Sequence, residues 1–240
     1  MPIKTQKTIF LFFTLFLLGV KSFSFNKDSL LIQFKPVFHD KELVLNTQSY
    51  FNKAGDTISI SKFRFYASSV TVLYLDGSIF SEKNSYHLLD ASESSTLFLN
   101  VHANTAKQIS SVSFNIGVDS LTSVSGALDG DLDPAKGMYW AWNSGYINAK
   151  LEGNVVSKTG NREIEFHIGG YMKPYYAIRE VKLKLSQYES FFIKEHLTII
   201  ADVSAWFENT DLKTQSRIVT PGAEAMKMAD NYINMFRIEN

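Results

Sequence analysis

The chain has 240 residues, with 24 basic and 24 acidic side chains, no cysteine, 19 Phe and 11 Tyr. The balanced charge leaves no counterion-release footprint for nucleic acid and no polybasic patch for anionic lipid. Without thiols there is no disulfide, no cysteine nucleophile and no Cys-based zinc or iron-sulfur site, so the 45% apolar content has to hold the fold through its core.

Residues 1–24 read as an export signal. Lys4 and Lys7 precede an apolar run from Ile9 to Val20, and Ser22 and Ser24 flank Phe23 as a small-x-small cleavage site. The run is short for a membrane span of roughly 20 residues, an uncleaved anchor being the other reading. Cleavage after Ser24 leaves residues 25–240 as one domain, with 21 basic against 24 acidic side chains and a net charge of three negative. No later segment is apolar for long enough to cross a bilayer, and none repeats at a fixed period.

Strand-length pieces follow, rich in β-branched and aromatic residues and separated by turn residues: 30–38, 57–65 and 69–75, the last stopping at Asp76-Gly77. That pair is a hairpin signal, because the favoured two-residue turn needs positive φ. Further strands are predicted at 86–90, 96–101, 109–118, 138–142, 146–151, 163–168, 178–185 and 197–203. This density predicts an all-β fold, an antiparallel β-sandwich. From Gly222 to Phe236 the period changes: Met226, Ala229, Ile233 and Phe236 recur three or four apart behind Thr220-Pro221, a candidate cap and first-turn proline. One C-terminal amphipathic helix is expected there, laid against the sandwich.

Residues 132–153, LDPAKGMYWAWNSGYINAKLEG, hold two of the three tryptophans. If 138–142 is a strand, Met138, Trp140 and Trp142 share one face. The indoles are then either a core ladder, each ring burying on the order of 200 Å², or an exposed platform for a sugar or another flat ligand. Asn143-Ser144-Gly145 allows a bend that turns rings outward, and both readings stay open. Just upstream, Asp129, Asp131 and Asp133 place carboxylates at i, i+2 and i+4. An EF-hand needs Gly at loop position six and Glu at twelve, where Pro134 and Trp140 stand. A solvated acidic turn or a loose hard-cation site is left.

No Gly-x-Ser-x-Gly elbow, His-Glu-x-x-His, phosphate loop or dinucleotide fingerprint is present, so a non-enzymatic role is expected. His39, His87, His102, His167 and His196 are not spaced as a local ligand pair. Any metal site has to be assembled across strands, from imidazoles and from methionines such as Met138 and Met172, donors that suit copper.

The stretch 132–153 also carries a family signature. Leu132-Asp133-Pro134, Gly137-Met138, Trp140, Trp142, Gly145-Tyr146, Lys150 and Glu152-Gly153 match the block LDP-x-x-GM-x-W-x-W-x-x-GY followed by K-x-EG. Phe65-Tyr66-Ala67-Ser68, Leu88-Leu89-Asp90, Phe114 to Asp119, Phe166-His167-Ile168-Gly169-Gly170 and the terminal segment from Ala229 to Phe236 fit the same pattern in the same order. The chain resembles the MbnP-like family of exported copper-binding proteins over nearly all of the mature sequence.

The resemblance implies a β-sandwich, secretion to the periplasm or cell surface and, in members from methane-oxidising bacteria, one copper ion held by two histidines and a tryptophan oxidised to kynurenine. That tryptophan precedes the Leu-Leu-Asp segment, and one histidine follows the Gly-Val segment. Here residues 80–87 hold no tryptophan and residues 119–124 no histidine, so the kynurenine site is not carried over. His87 and His167 survive as the expected metal residues, His167 equally as a structural tie between strands. Within the block, Asp133, Pro134, Gly137, Met138, Trp140, Trp142, Gly145, Tyr146, Glu152 and Gly153 are expected to be structural. The leading expectation is an exported, non-enzymatic, copper-binding protein. The alternative is an extracellular interaction or glycan-binding module that uses exposed aromatics.

Overall fold

The computed structural model describes residues 29–193 and 195–239. The expected export signal, residues 1–24, lies outside them.

Strand Leu30–Phe38 alternates buried and less buried side chains, and sends Leu30, Ile32 and Phe34 inward. It forms the middle of a five-stranded sheet with Lys41–Glu42, Phe98–Val101, His196–Asp202 and Phe236–Ile238. The larger sheet runs Arg179–Lys184, Ile109–Ile116, Thr57–Tyr74, Gly145–Ser157, Gly160–Gly169 and Arg217–Ile218 in spatial order. Phe34 joins the two sheets: its ring lies 5.7 Å from Phe65 and 5.3 Å from Phe114, edge to face in both cases. The expected sandwich is present, with two parallel pairings inside an otherwise antiparallel pattern. Leu30–Phe38 runs parallel to His196–Asp202, and Gly160–Gly169 parallel to Arg217–Ile218.

The pieces expected at 57–65 and 69–75 form one strand of 18 residues, Thr57–Tyr74. Ser69 takes φ +54 and the register slips between Ser68 and Thr71, so a bulge absorbs the break without ending the strand. The hairpin at Asp76-Gly77 forms and returns as Ile79–Ser81, although only Gly77 has positive φ.

The helix Ala223–Tyr232 buries Ala225, Met228, Ala229 and Tyr232. Met226 and Ile233 sit at its margin, so the buried stripe is rotated from the predicted one. Its N-cap is Gly222 with no side-chain cap, one step past the expected Thr220-Pro221. No described helix is long and apolar enough to cross a membrane.

The larger sheet is covered on both sides. One face meets the smaller sheet in the main core, and the other carries a second cluster of Tyr66, Leu88, Val118, Leu132, Met138, Trp140, Tyr146 and Ile147. The segment 119–144 supplies three of these, Leu132, Met138 and Trp140, and folds over that outer face as a lid.

Candidate functional site

The lid is held by the residues of the 132–153 block. Asp133 caps a short 3-10 turn by accepting from Ala135 N at 2.8 Å, Pro134 opens the turn, and Gly137 closes it at φ 71. Its ends are pinned from the sheet below: Lys150 Nζ donates to Gly137 O at 2.5 Å and Arg64 Nη1 to Lys136 O at 2.8 Å. Burial pushes the Lys150 ammonium below its ordinary pKa, the cost of placing a lysine under the lid. Arg64 Nε lies 2.7 Å from Asp90 Oδ2 as an ion pair, without the alignment of a hydrogen bond. Tyr66 donates its hydroxyl to Asp131 O, and the Tyr146 hydroxyl reaches Leu132 O and accepts from Leu128 N. Gly153 is needed for close approach, since a Cβ there would stand 2.2 Å from Ser59 O where the register slips.

The same contacts account for two of the three carboxylates at 129, 131 and 133. Asp131 accepts from Leu88 N at 3.0 Å and pairs with Lys136 at 2.6 Å, while Asp133 is occupied as a cap. These carboxylates serve the lid. Among the described residues no three His, Cys, Asp or Glu side chains converge as a metal cage.

The two histidines expected as metal residues are not brought together. His167 pairs across the sheet with Lys150, and Lys150 with Arg64, whereas His87 pairs with Ala67. Directly opposed residues share a face, and residues three apart on one strand do not. His87 therefore stands on the core face at the sheet margin, and His167 on the opposite, lid-side face.

His167 Nε2 lies 2.9 Å from Glu152 Oε1, and Glu152 also pairs with Lys62 at 2.7 Å. Burial, reinforced by the charge of Lys150, holds His167 below its ordinary pKa. Burial pushes Glu152 up, but hydrogen bonds from Lys62 and His167 outweigh it and hold the carboxylate below its usual range. A neutral imidazole beside Lys150 and tied to a carboxylate of the neighbouring strand acts as a strand tie. His87 differs. Its Nε2 lies 2.7 Å from Glu82 Oε2, and its side chain is 29% exposed. The Glu82 carboxylate is held low chiefly by the His87 hydrogen bond, with a further contribution from the charge of His102.

The two segments in which the resemblance places metal ligands, 80–87 and 119–124, do meet. Tyr86 donates its hydroxyl to Asp119 Oδ2 and lies 2.6 Å from Thr122 Oγ1, while Thr122 N caps onto Asp119 Oδ1 at 3.0 Å. Burial raises the Tyr86 phenol, and the Asp119 bond adds to it, so the group stays protonated. This closed knot offers only oxygen and already spends it internally. It does not fit the two-imidazole copper site that the resemblance describes.

The expected row of two indoles is half right. The strand at 138–142 is reduced to Tyr139–Trp140, which pairs with Gly145 and Tyr146. The chain then turns, with Ser144 at φ +46. Met138 and Trp140 are buried at 0% and 6% exposure, but Trp142 is 64% exposed. It stands in a cleft of about 330 Å³ with Asn143, Tyr171, Met172, Lys173 and Tyr175. The third tryptophan, Trp206, was given no role by sequence and is fully buried against Phe166 and Tyr232.

A family model described as MbnP matches residues 27–226. Among solved structures the chain is similar to MbnP from Methylosinus trichosporium, with a TM-score of 0.54 and 14% identity over 76% of this chain and 78% of that one. No curated protein sequence matches it. The likeness to the solved structure is one of fold, and the match of the family model covers most of the sequence. The chain therefore belongs to the MbnP family.

Proposed function

We propose that this chain is an exported, non-catalytic copper-handling protein, acting in the periplasm or at the cell surface, whose metal contact is an open site centred on His87. Family membership supports copper, and the observation that carries the site is the bond from His87 Nε2 to Glu82. A carboxylate only accepts, so Nε2 holds the proton and Nδ1 keeps its lone pair. A metal-ligating histidine commonly donates its other ring N–H to a carboxylate in this way. Imidazole suits copper, and the exposed His102, whose charge contributes to holding Glu82 low, is the candidate for a second imidazole. With so few protein donors the remaining positions would fall to water or to a partner's ligands, which suits a metal in transit more than one in storage.

The test is a titration of the purified protein with Cu(II), and with Cu(I) under a competing chelator, beside His87→Ala, Glu82→Gln, His102→Ala and His167→Ala. His87→Ala should abolish stoichiometric binding, Glu82→Gln and His102→Ala should weaken it, and His167→Ala should leave it unchanged. Binding that survives His87→Ala, or that is lost with His167→Ala, refutes the assignment.

A further inference from the structure

A second site shares no residue with the copper proposal. The hairpin turn carrying Trp142 faces a small hairpin in which Tyr171 pairs with Tyr176 and Met172 with Tyr175. The cleft between them has a volume of about 330 Å³, within the roughly 300–1,000 Å³ of small-ligand sites.

Its aromatic wall is unusually open for a fold that buries its other tryptophans. Trp142 is 64% exposed and Tyr175 42%. The wall is also braced. Trp140 lies beneath Trp142 with ring centroids 5.7 Å apart, Ser120 Oγ donates to Tyr171 O at 2.5 Å, and Ala177 N donates to Gly170 O at 2.8 Å. Gly145 leaves room for the Tyr171 ring, which would come within 2.6 Å of a Cβ there. Rings held at the surface by buried supports lose little freedom when a ligand stacks on them. Around them the Asn143 amide, the Thr220 hydroxyl and the Lys173 ammonium line the cleft, and Lys173 is its single charged side chain.

We propose that this cleft binds a uronic acid unit of an acidic polysaccharide. A pyranose ring has an apolar C–H face, which stacks on an indole or phenol, and a rim of hydroxyls, which the amide and the Thr220 hydroxyl can pair. The one lysine selects for a ring that carries a carboxylate. An apolar peptide would use the rings but give the ammonium nothing, and a neutral sugar would do the same.

The experiment follows Trp fluorescence and calorimetry as the purified protein is titrated with an oligogalacturonate, a cello-oligosaccharide and a proline-rich peptide. The oligogalacturonate should shift the emission. Trp142→Ala should abolish binding, Lys173→Gln should weaken it at least about tenfold, and Phe51→Ala, an exposed ring elsewhere, should change nothing. Far-ultraviolet dichroism confirms that each variant is folded. No response to the oligogalacturonate, or one that survives Trp142→Ala, overturns the site. Equal binding of the neutral oligosaccharide, or preference for the peptide, overturns the ligand class. Copper binding is unaffected by any of these results, so the two proposals fail separately.

Discussion

Trp140 and Trp142 are two residues apart with rings in contact, yet they should behave as opposites when truncated. Trp140 keeps 6% of its exposure and Trp142 keeps 64%. With roughly 200 Å² per indole and 25 cal/mol/Å², burial of nearly the whole ring corresponds to about 5 kcal/mol, and of about a third of it to less than 2 kcal/mol. Extended-chain areas overstate both figures. Trp140→Ala is therefore expected to cost about 3–5 kcal/mol, the range of large-to-small changes in a core, and Trp142→Ala about 1 kcal/mol. Urea unfolding followed by far-ultraviolet dichroism reads the difference as a shift in midpoint at constant slope. Acrylamide quenching gives an independent reading. Trp206 is fully buried and Trp140 nearly so, so Trp142→Phe should remove almost all of the quenchable emission. Equal costs for the two alanine variants, or an accessible fraction untouched by Trp142→Phe, would refute the placement of these rings and the cleft built on it.

Gly153→Ala should destabilise by about 1–3 kcal/mol, an overpacking cost, because the added methyl meets Ser59 O on the neighbouring strand; thermal unfolding checks it. Tyr66→Phe should cost about 0.5–1.5 kcal/mol through the lost hydrogen bond to Asp131 O, measured the same way. His167 has a depressed folded pKa, so as pH falls through the unfolded value of about 6.5 the unfolded chain takes up the proton first. Its contribution to stability is full above that value and is lost as pH drops toward the folded one. His167→Gln should flatten the stability profile between about pH 7.5 and 5, and a profile as steep as the parent's would contradict this. Finally, intact mass of the exported protein should show a chain beginning at Phe25 if cleavage follows Ser24.

Where local pattern decides structure, the residues were readable in advance. The alternation in Leu30–Phe38 and the stretch Tyr86–Asp90 coincide with observed strands, because a half-buried strand needs only a period of two. The pattern misled where it was extended past a turn: alternation carried from Trp140 to Trp142 puts both indoles on one face, but the strand ends between them. Trp206 lies in a 3-10 turn, Val203–Phe207, with no period at all. Its one signal was a bulky aromatic pair, Trp206-Phe207, directly after a strand. The relation of His87 to His167 was invisible for a different reason. It depends on the cross-strand registers of four strands, and a shift of one residue in any of them would exchange the faces.

Those registers also set which side chains of the sheet meet the lid. Lys150, Arg64, Tyr66 and Tyr146 reach from the sheet to backbone carbonyls of the lid, so side chains of the sheet specify where the lid lies. At the lid's edge Tyr86, Asp119 and Thr122 bond to one another. Recognition of the block therefore transmits the architecture and carries no information about a metal. The sites proposed at His87 and at Trp142 use none of these four side chains.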